Sequence, residues 1–220
     1  ITLDGLEGEV KLRAERGETC VFVAIEGQVI GLISCADLPR ETARAAIMSL
    51  KRMGLNIVMI TGDHLATARA VGQALDIDLI MADVLPADKA EAVKRLQAEG
   101  HVVAMVGDGI NDAPALAAAD IGIALGAGTD VALEASDITL IRDDLNMVPA
   151  AVRLSLNTLR VIRQNLFWAF IYNIIGIPVA AGVLYPFYGI LLNPEFAAAA
   201  MAMSSVSVVT NSLRLRRFPL

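Results

Sequence analysis

Between Thr19 and Ala150 the chain alternates short β-branched apolar runs with stretches of helical period. Residues 21–25 and 29–35 read as strands on either side of a turn at Glu26-Gly27. Residues 40–53 read as a helix, 56–60 as a strand and 64–75 as a helix. Residues 79–81, 102–106, 121–125 and 138–140 continue the strands, with 88–99 and 112–118 as helices between them. This alternation predicts an α/β fold, a parallel sheet with helices on both faces. Ligands bind such sheets beyond the carboxyl ends of the strands.

The pattern changes after residue 150. No charged side chain occurs from Gln164 to Pro194, nor from Phe196 to Leu213. About 20 apolar residues carry a helix across the hydrocarbon core of a membrane. Residues 164–184 and 196–213 are therefore expected to form a two-helix transmembrane hairpin, turning through Tyr185-Pro186 and Asn193-Pro194-Glu195. Arg153, Arg160 and Arg163 precede it, Arg214, Arg216 and Arg217 follow it, and the loop carries no Lys or Arg. By the positive-inside rule both ends face the cytoplasm. Trp168 and the Tyr185/Tyr188 pair fall near the two expected interfaces. The competing reading is a buried hairpin of a soluble protein.

Polar residues inside such a segment need a reason. Tyr172 and Asn173 lie nine or ten residues past Arg163, about 14 Å deep at 1.5 Å per residue. Ser205 lies nine residues before Arg214, at a similar depth, and Met201 is one turn further in on the same face. In an antiparallel hairpin the Tyr-Asn pair and the Met/Ser face meet near mid-membrane. Ser204, Ser205 and Ser207 suit close helix packing equally well, Met201 and Met203 gap filling. Gly176 and Pro178 fit either a functional kink or the ordinary tolerance of membrane helices.

Composition sharpens the division. The 220 residues are 55% hydrophobic, with mean hydropathy +0.58, too apolar for a plain soluble domain and for a disordered chain. Residues 1–150 hold 23 of the 24 acids and 12 of the 18 bases; residues 151–220 hold six arginines and one acid, Glu195. No basic surface stands out in the acidic part, which argues against a nucleic-acid partner. Cys20 and Cys35 make neither a disulfide framework nor a metal-ligand spacing and are expected to be small core residues. The chain begins at Ile1 without a signal peptide, so it is expected to be part of a longer one.

The chemistry-bearing residues fall at strand ends. Thr61-Gly62-Asp63 closes one strand, and Gly107-Asp108-Gly109-Ile110-Asn111-Asp112 closes another. Both glycine-rich turns present backbone N–H groups and a helix start to one edge, an anion site. Asp108 and Asp112 beside that site would repel phosphate unless a hard cation intervened. Such oxygen ligands suit Mg²⁺, and Lys89 supplies compensating positive charge. Asp63, Asp88 and Asp112 also suit helix capping, and Lys89 alone a solvated surface. His64 and His101 read as helix-start and loop residues.

Thr61-Gly62-Asp63, Asp88-Lys89 and Gly107-Asp108-Gly109-Ile110-Asn111-Asp112-Ala113-Pro114-Ala115-Leu116 resemble the phosphorylation domain of P-type ATPases, of the haloacid-dehalogenase superfamily. The likeness continues through Ala119-Asp120-Ile121-Gly122-Ile123-Ala124 to Ala135-Ser136-Asp137-Ile138. It implies a haloacid-dehalogenase-like Rossmannoid parallel sheet followed by the transmembrane hairpin. It also implies that Asp108 holds Mg²⁺, that Lys89 contacts the phosphoryl group, and that Thr61, Gly62, Asp63, Asn111 and Asp112 complete the catalytic pocket, with Gly107 and Gly109 shaping it.

Tyr172-Asn173 followed by Pro178, and Met201-Ala202-Met203-Ser204-Ser205, resemble the last two membrane helices of the copper branch. There Tyr172, Asn173, Met201 and Ser205 would hold the transported ion. Methionine sulfur suits Cu(I), and Ag(I) shares that softness. The implied protein is an ATP-driven exporter of Cu(I) or Ag(I) in a bacterial plasma membrane. Lipid and the remaining domains of the same ATPase would be its partners, and its phosphorylation domain and C-terminus would be cytoplasmic. Residues 1–18 would end the nucleotide-binding domain, 19–150 belong to the phosphorylation domain and 151–220 form the hairpin. The family's phosphorylated Asp-Lys-Thr-Gly-Thr and its Cys-Pro-Cys do not occur in the 220 residues, and Asp37 lacks the threonines of the former. The chain alone is thus expected to be inactive. The alternatives are a membrane-tethered haloacid-dehalogenase-type phosphatase and an inactive partner-binding fragment.

Overall fold

The structure is a computed structural model that describes residues 7–15, 18–36, 39–108, 111–126, 134–189 and 194–217; at residues 14, 15, 19, 36 and 194–201 only the backbone is described. Two compact units divide the chain, Ile1–Pro149 and Ala150–Leu220.

The first unit opens with α1 (Glu7–Glu15), a helix that no apolar periodicity announces. Its Arg13 pairs with Glu9 at 2.8 Å and with Glu18 at 3.2 Å. Strands β1 (Glu18–Ile25) and β2 (Gln28–Ala36) form an antiparallel hairpin. Its turn holds Glu26 at φ 47° and Gly27 at φ 82°, the backbone that a two-residue hairpin connection requires and that glycine adopts freely. Here one expectation is corrected. Cys20 is only half-buried and Cys35 is exposed, because among the described residues no third strand joins this two-stranded ribbon. Val21, Phe22, Ile25, Ile30 and Ile33 are exposed for the same reason.

Then follow α2 (Ala43–Arg52), β3 (Val58–Ile60), α3 (Leu65–Leu75), β4 (Leu79–Met81), a 3₁₀ turn (Pro86–Asp88), α4 (Lys89–Ala98), β5 (Ala104–Gly107), α5 (Ala113–Ala118), β6 (Ile121–Leu125) and β7 (Ile138–Leu140). The parallel pairing is as the alternation predicts, and among the described residues it forms two ladders. β3 pairs with β4, and β5, β6 and β7 form a second ladder. Among the described residues no ladder joins the two groups. A βαβ pattern dictates parallel direction without dictating which strands are neighbours. Ala43, Leu75 and Ile77 are buried under α2, α3 and the β3–β4 pair, with Ile47, Ile57, Met59, Val71, Ile80 and Leu145 packed around them. Val93, Leu116 and Ala124 are fully enclosed around α4, α5 and β6.

The second unit holds most of α6 (Met147–Ala180), the short α7 (Tyr185–Tyr188), α8 (Pro194–Leu213) and a 3₁₀ turn (Arg214–Arg217). α6 begins 17 residues before the expected span and ends four before its expected end. It carries Pro178 near its end, and Gly182 at φ 86° follows in the turn, as is common beyond a helix C-terminus. The expected spans thus fall on α6 and α8, yet among the described residues no helix is long and apolar enough to cross a membrane. The helical part of the first apolar run is shorter than the run itself, and the first eight residues of α8 are described at the backbone only.

Candidate functional site

Within each ladder the parallel strands bring their carboxyl ends to one edge, and the chemistry-bearing residues lie at those ends. After β3, the Thr61 hydroxyl donates to Asp63 Oδ2 at 2.8 Å and accepts from the Asp63 N–H at 3.1 Å. The backbone ties this turn to the end of β4: Thr61 N–H donates to Met81 O, Asp83 N–H to Asp63 O and Val84 N–H to Thr61 O, at 2.9–3.0 Å. His64 starts α3, as a helix-start residue should, but its Nδ1 also lies 2.8 Å from Asp83 Oδ1. That pairing of residues 19 apart has no signal in the sequence.

The second cluster lies after β5. Lys89 Nζ, at the start of α4, donates to Asp112 Oδ1 at 2.6 Å, just before α5. Both side chains are largely shielded, at 17% and 12% exposed. The geometry explains Gly107 too: a Cβ there would lie 2.7 Å from both Asp112 Cβ and Asp112 Oδ2. Only a residue without a side chain lets the strand end pass so close to the carboxylate. Asp112 therefore contributes to position, charge pairing and close packing at once.

Asp108 and Asn111 are exposed at this edge, and no described hydrogen bond engages either side chain. Gly109 lies outside the described residues, as does Asp37. Among the described residues no hydrogen bond joins the Thr61–Asp63 turn to the Lys89–Asp112 pair, nor do three His, Cys, Asp or Glu side chains converge on a metal position. An exposed, uncommitted Asp108 carboxylate nevertheless suits Mg²⁺, which takes one or two carboxylates and completes its shell with water and phosphate oxygens.

The sequence reading missed one cation here. Arg40 forms an ion pair with Asp143 and also donates to the Asp143 carbonyl at 3.3 Å. Asp143, with a smaller contribution from Asp108, holds the guanidinium above its ordinary range.

In the second unit Tyr172 and Asn173 lie on α6, Met201 and Ser205 on α8. The Asn173 amide donates to Ala169 O of its own helix at 2.8 Å, and the Tyr172 ring stands 6.2 Å from that of Trp168. The side chain of Met201 lies outside the described residues.

The chain belongs to the haloacid dehalogenase-like hydrolase family, whose sequence pattern matches residues 3–120. Within that family it is similar to P-type ATPases along nearly its whole length. It is 56% identical over 217 residues to a probable copper-exporting P-type ATPase of Archaeoglobus fulgidus, covering 97% of this chain and 27% of that protein. It is 52% identical over 216 residues to a silver exporting P-type ATPase of Salmonella typhimurium, covering 98% and 26%. A solved zinc-transporting PIB-type ATPase in its E2·Pi state superposes with a TM-score of 0.80 at 36% identity, covering 97% of this chain and 34% of that one. The chain therefore spans about a quarter of the length of the curated relatives it matches.

Proposed function

We propose that this chain is the C-terminal part of an ATP-driven exporter of Cu(I) or Ag(I). The observation that carries this reading is that the likeness to copper and silver exporters runs through both units, over 97% of the chain. In this reading residues 1–18 end the nucleotide-binding domain, 19–150 belong to the phosphorylation domain and 151–220 form a membrane hairpin. The exposed apolar side chains of the second unit, including Phe170, Ile174, Ile177, Val206 and Val209, support a lipid environment. Asn173 and Ser207 satisfy part of their hydrogen bonding on their own helix turns, as a membrane demands.

At the strand-end site, Asp108 would hold Mg²⁺, which when bound neutralises charge on the transferred phosphoryl group. Lys89, oriented by Asp112, brings a fixed positive charge to the same oxygens. Thr61 and Gly62 would bind the phosphoryl group from the adjoining strand end, with Asp63 holding the Thr61 hydroxyl in place. The aspartate that accepts the phosphoryl group lies outside these residues. In the hairpin, Tyr172, Asn173, Met201 and Ser205 would bind the cargo. No charged side chain lies among these positions, and a thioether donor favours soft monovalent ions over Zn²⁺.

Phosphoenzyme formation from labelled ATP and Mg²⁺ tests this reading. The intact protein should label, its Asp108→Asn variant should not, and the 220-residue chain alone should not. A stable aspartyl phosphate on the chain alone would overturn it in favour of a self-contained phosphatase.

A further inference from the structure

The two long helices of the second unit are tied together at one level by a chain of amide and hydroxyl groups that the hydrolytic and cargo sites leave unused. Asn211 Nδ2 donates to Asn165 Oδ1 at 2.9 Å and to Gln164 Oε1 at 3.3 Å. Asn165 Nδ2 donates to Ser212 Oγ at 2.9 Å, and Arg214 donates to Asn211 Oδ1 at 3.2 Å. Each asparagine amide thus both donates and accepts within the cluster.

This cluster fixes direction and register together. From Asn165 to the end of α6 is about 22 Å, and from the start of α8 to Ser212 about 27 Å, at 1.5 Å per residue. Parallel helices would require residues 181–193 to bridge the sum, about 49 Å. The fourteen Cα–Cα steps from residue 180 to residue 194 reach about 50 Å only if every residue is fully extended, and residues 181–188 are turn and helix instead. The helices are therefore antiparallel. Continuing the Asn165–Ser212 pairing by seven residues along each helix reaches Tyr172 opposite Ser205, about 10 Å further along. Asn173 is then level with Ser204.

We infer that Asn165, Asn211 and Ser212 act as positioning residues, a polar clasp that sets the register of α6 against α8 and so brings the Tyr172–Asn173 level to that of Ser205. The consequence for metal rests on the exporter reading above; the register itself does not. A one-turn slip would displace these levels by about 5 Å, beyond the reach of a shared ion.

Cysteine cross-linking in the intact protein reads the register directly. With Tyr172→Cys as the fixed partner, cysteines at 201, 205 and 209 are compared after oxidation with iodine. The pair with Ser205→Cys should cross-link best, and the Asn165→Leu/Asn211→Leu background should abolish that preference or move it by a turn. An unchanged preference for 205 in that background would overturn the clasp. In the same protein, without the added cysteines, the leucine pair should raise the Ag(I) concentration for half-maximal ATPase stimulation about fivefold, the scale of losing one or two interhelical hydrogen bonds in a membrane. Phosphorylation by inorganic phosphate should be unchanged, and Asn165→Gln should restore part of the affinity. A register that moves while Ag(I) dependence stays put would leave the clasp standing and place the cargo site elsewhere.

Discussion

Lys89 and Asp112 stand 23 residues apart in sequence and 2.6 Å apart in space, joining the start of α4 to the start of α5. Asp112 is buried and the Lys89 side chain is largely shielded, so the partners depend on one another. Removing one leaves the other's charge partly desolvated without compensation. Lys89→Ala should therefore cost about 2 kcal/mol of folding stability in urea titrations of the 220-residue chain, and Lys89→Ala/Asp112→Ala should cost less than the sum of the two single variants. Strict additivity would mean that the pair contributes nothing.

Gly107 is bound to the same carboxylate by sterics. Gly107→Ala places a methyl group 2.7 Å from Asp112 Cβ and Oδ2, so it must displace Asp112 and with it Lys89. A cost of about 1–3 kcal/mol is expected, the range for overpacking, together with loss of phosphoenzyme in the intact protein. Gly31→Ala, where a Cβ meets nothing within 4 Å, serves as the control and should label normally.

Asp120 makes the first unit sensitive to acid. The Val103 backbone N–H donates to its Oδ2 at 2.8 Å. That bond, then the Gln97 side chain, lowers the Asp120 pKa below its ordinary value. A carboxyl group depressed in the folded state stabilises the fold above its unfolded pKa, and that contribution is lost as pH falls through the folded value. At pH 7 the chain should melt above its Asp120→Asn variant, and the two curves should converge as pH falls below the ordinary carboxylate range. A gap that stayed constant from pH 7 to pH 2.5 would assign the bond no ionic character.

Strand limits were legible wherever β-branched runs end abruptly in polar turns: β4, β6 and β7 occupy the predicted residues. Helix starts were less so. Residues 40–42 carry helical character in sequence, but Arg40 is held by Asp143 and the helix begins at Ala43. α6 begins at Met147, whereas the sequence reading placed a helix only where the arginines stop. α1 has no apolar stripe at all, and is tied by Arg13 to Glu9 and to Glu18 of β1. In the site, the strand-end loops announced themselves through glycines and acids. The Lys89–Asp112, His64–Asp83 and Arg40–Asp143 pairs did not, since each joins segments that only folding brings together. The division of the parallel strands into two ladders was equally hidden, because alternation encodes direction and not adjacency.

Metal-stimulated ATP hydrolysis by the intact protein in lipid vesicles tests the central claim most directly. Cu(I) and Ag(I) should stimulate it and Zn(II) should not. Asn173→Ala should raise the half-maximal Cu(I) concentration while leaving phosphorylation by inorganic phosphate intact, and Asp108→Asn should abolish hydrolysis with metal binding retained. Stimulation by Zn(II) alone, or wild-type Cu(I) dependence in Asn173→Ala, would contradict a soft-metal exporter with its cargo site on these two helices.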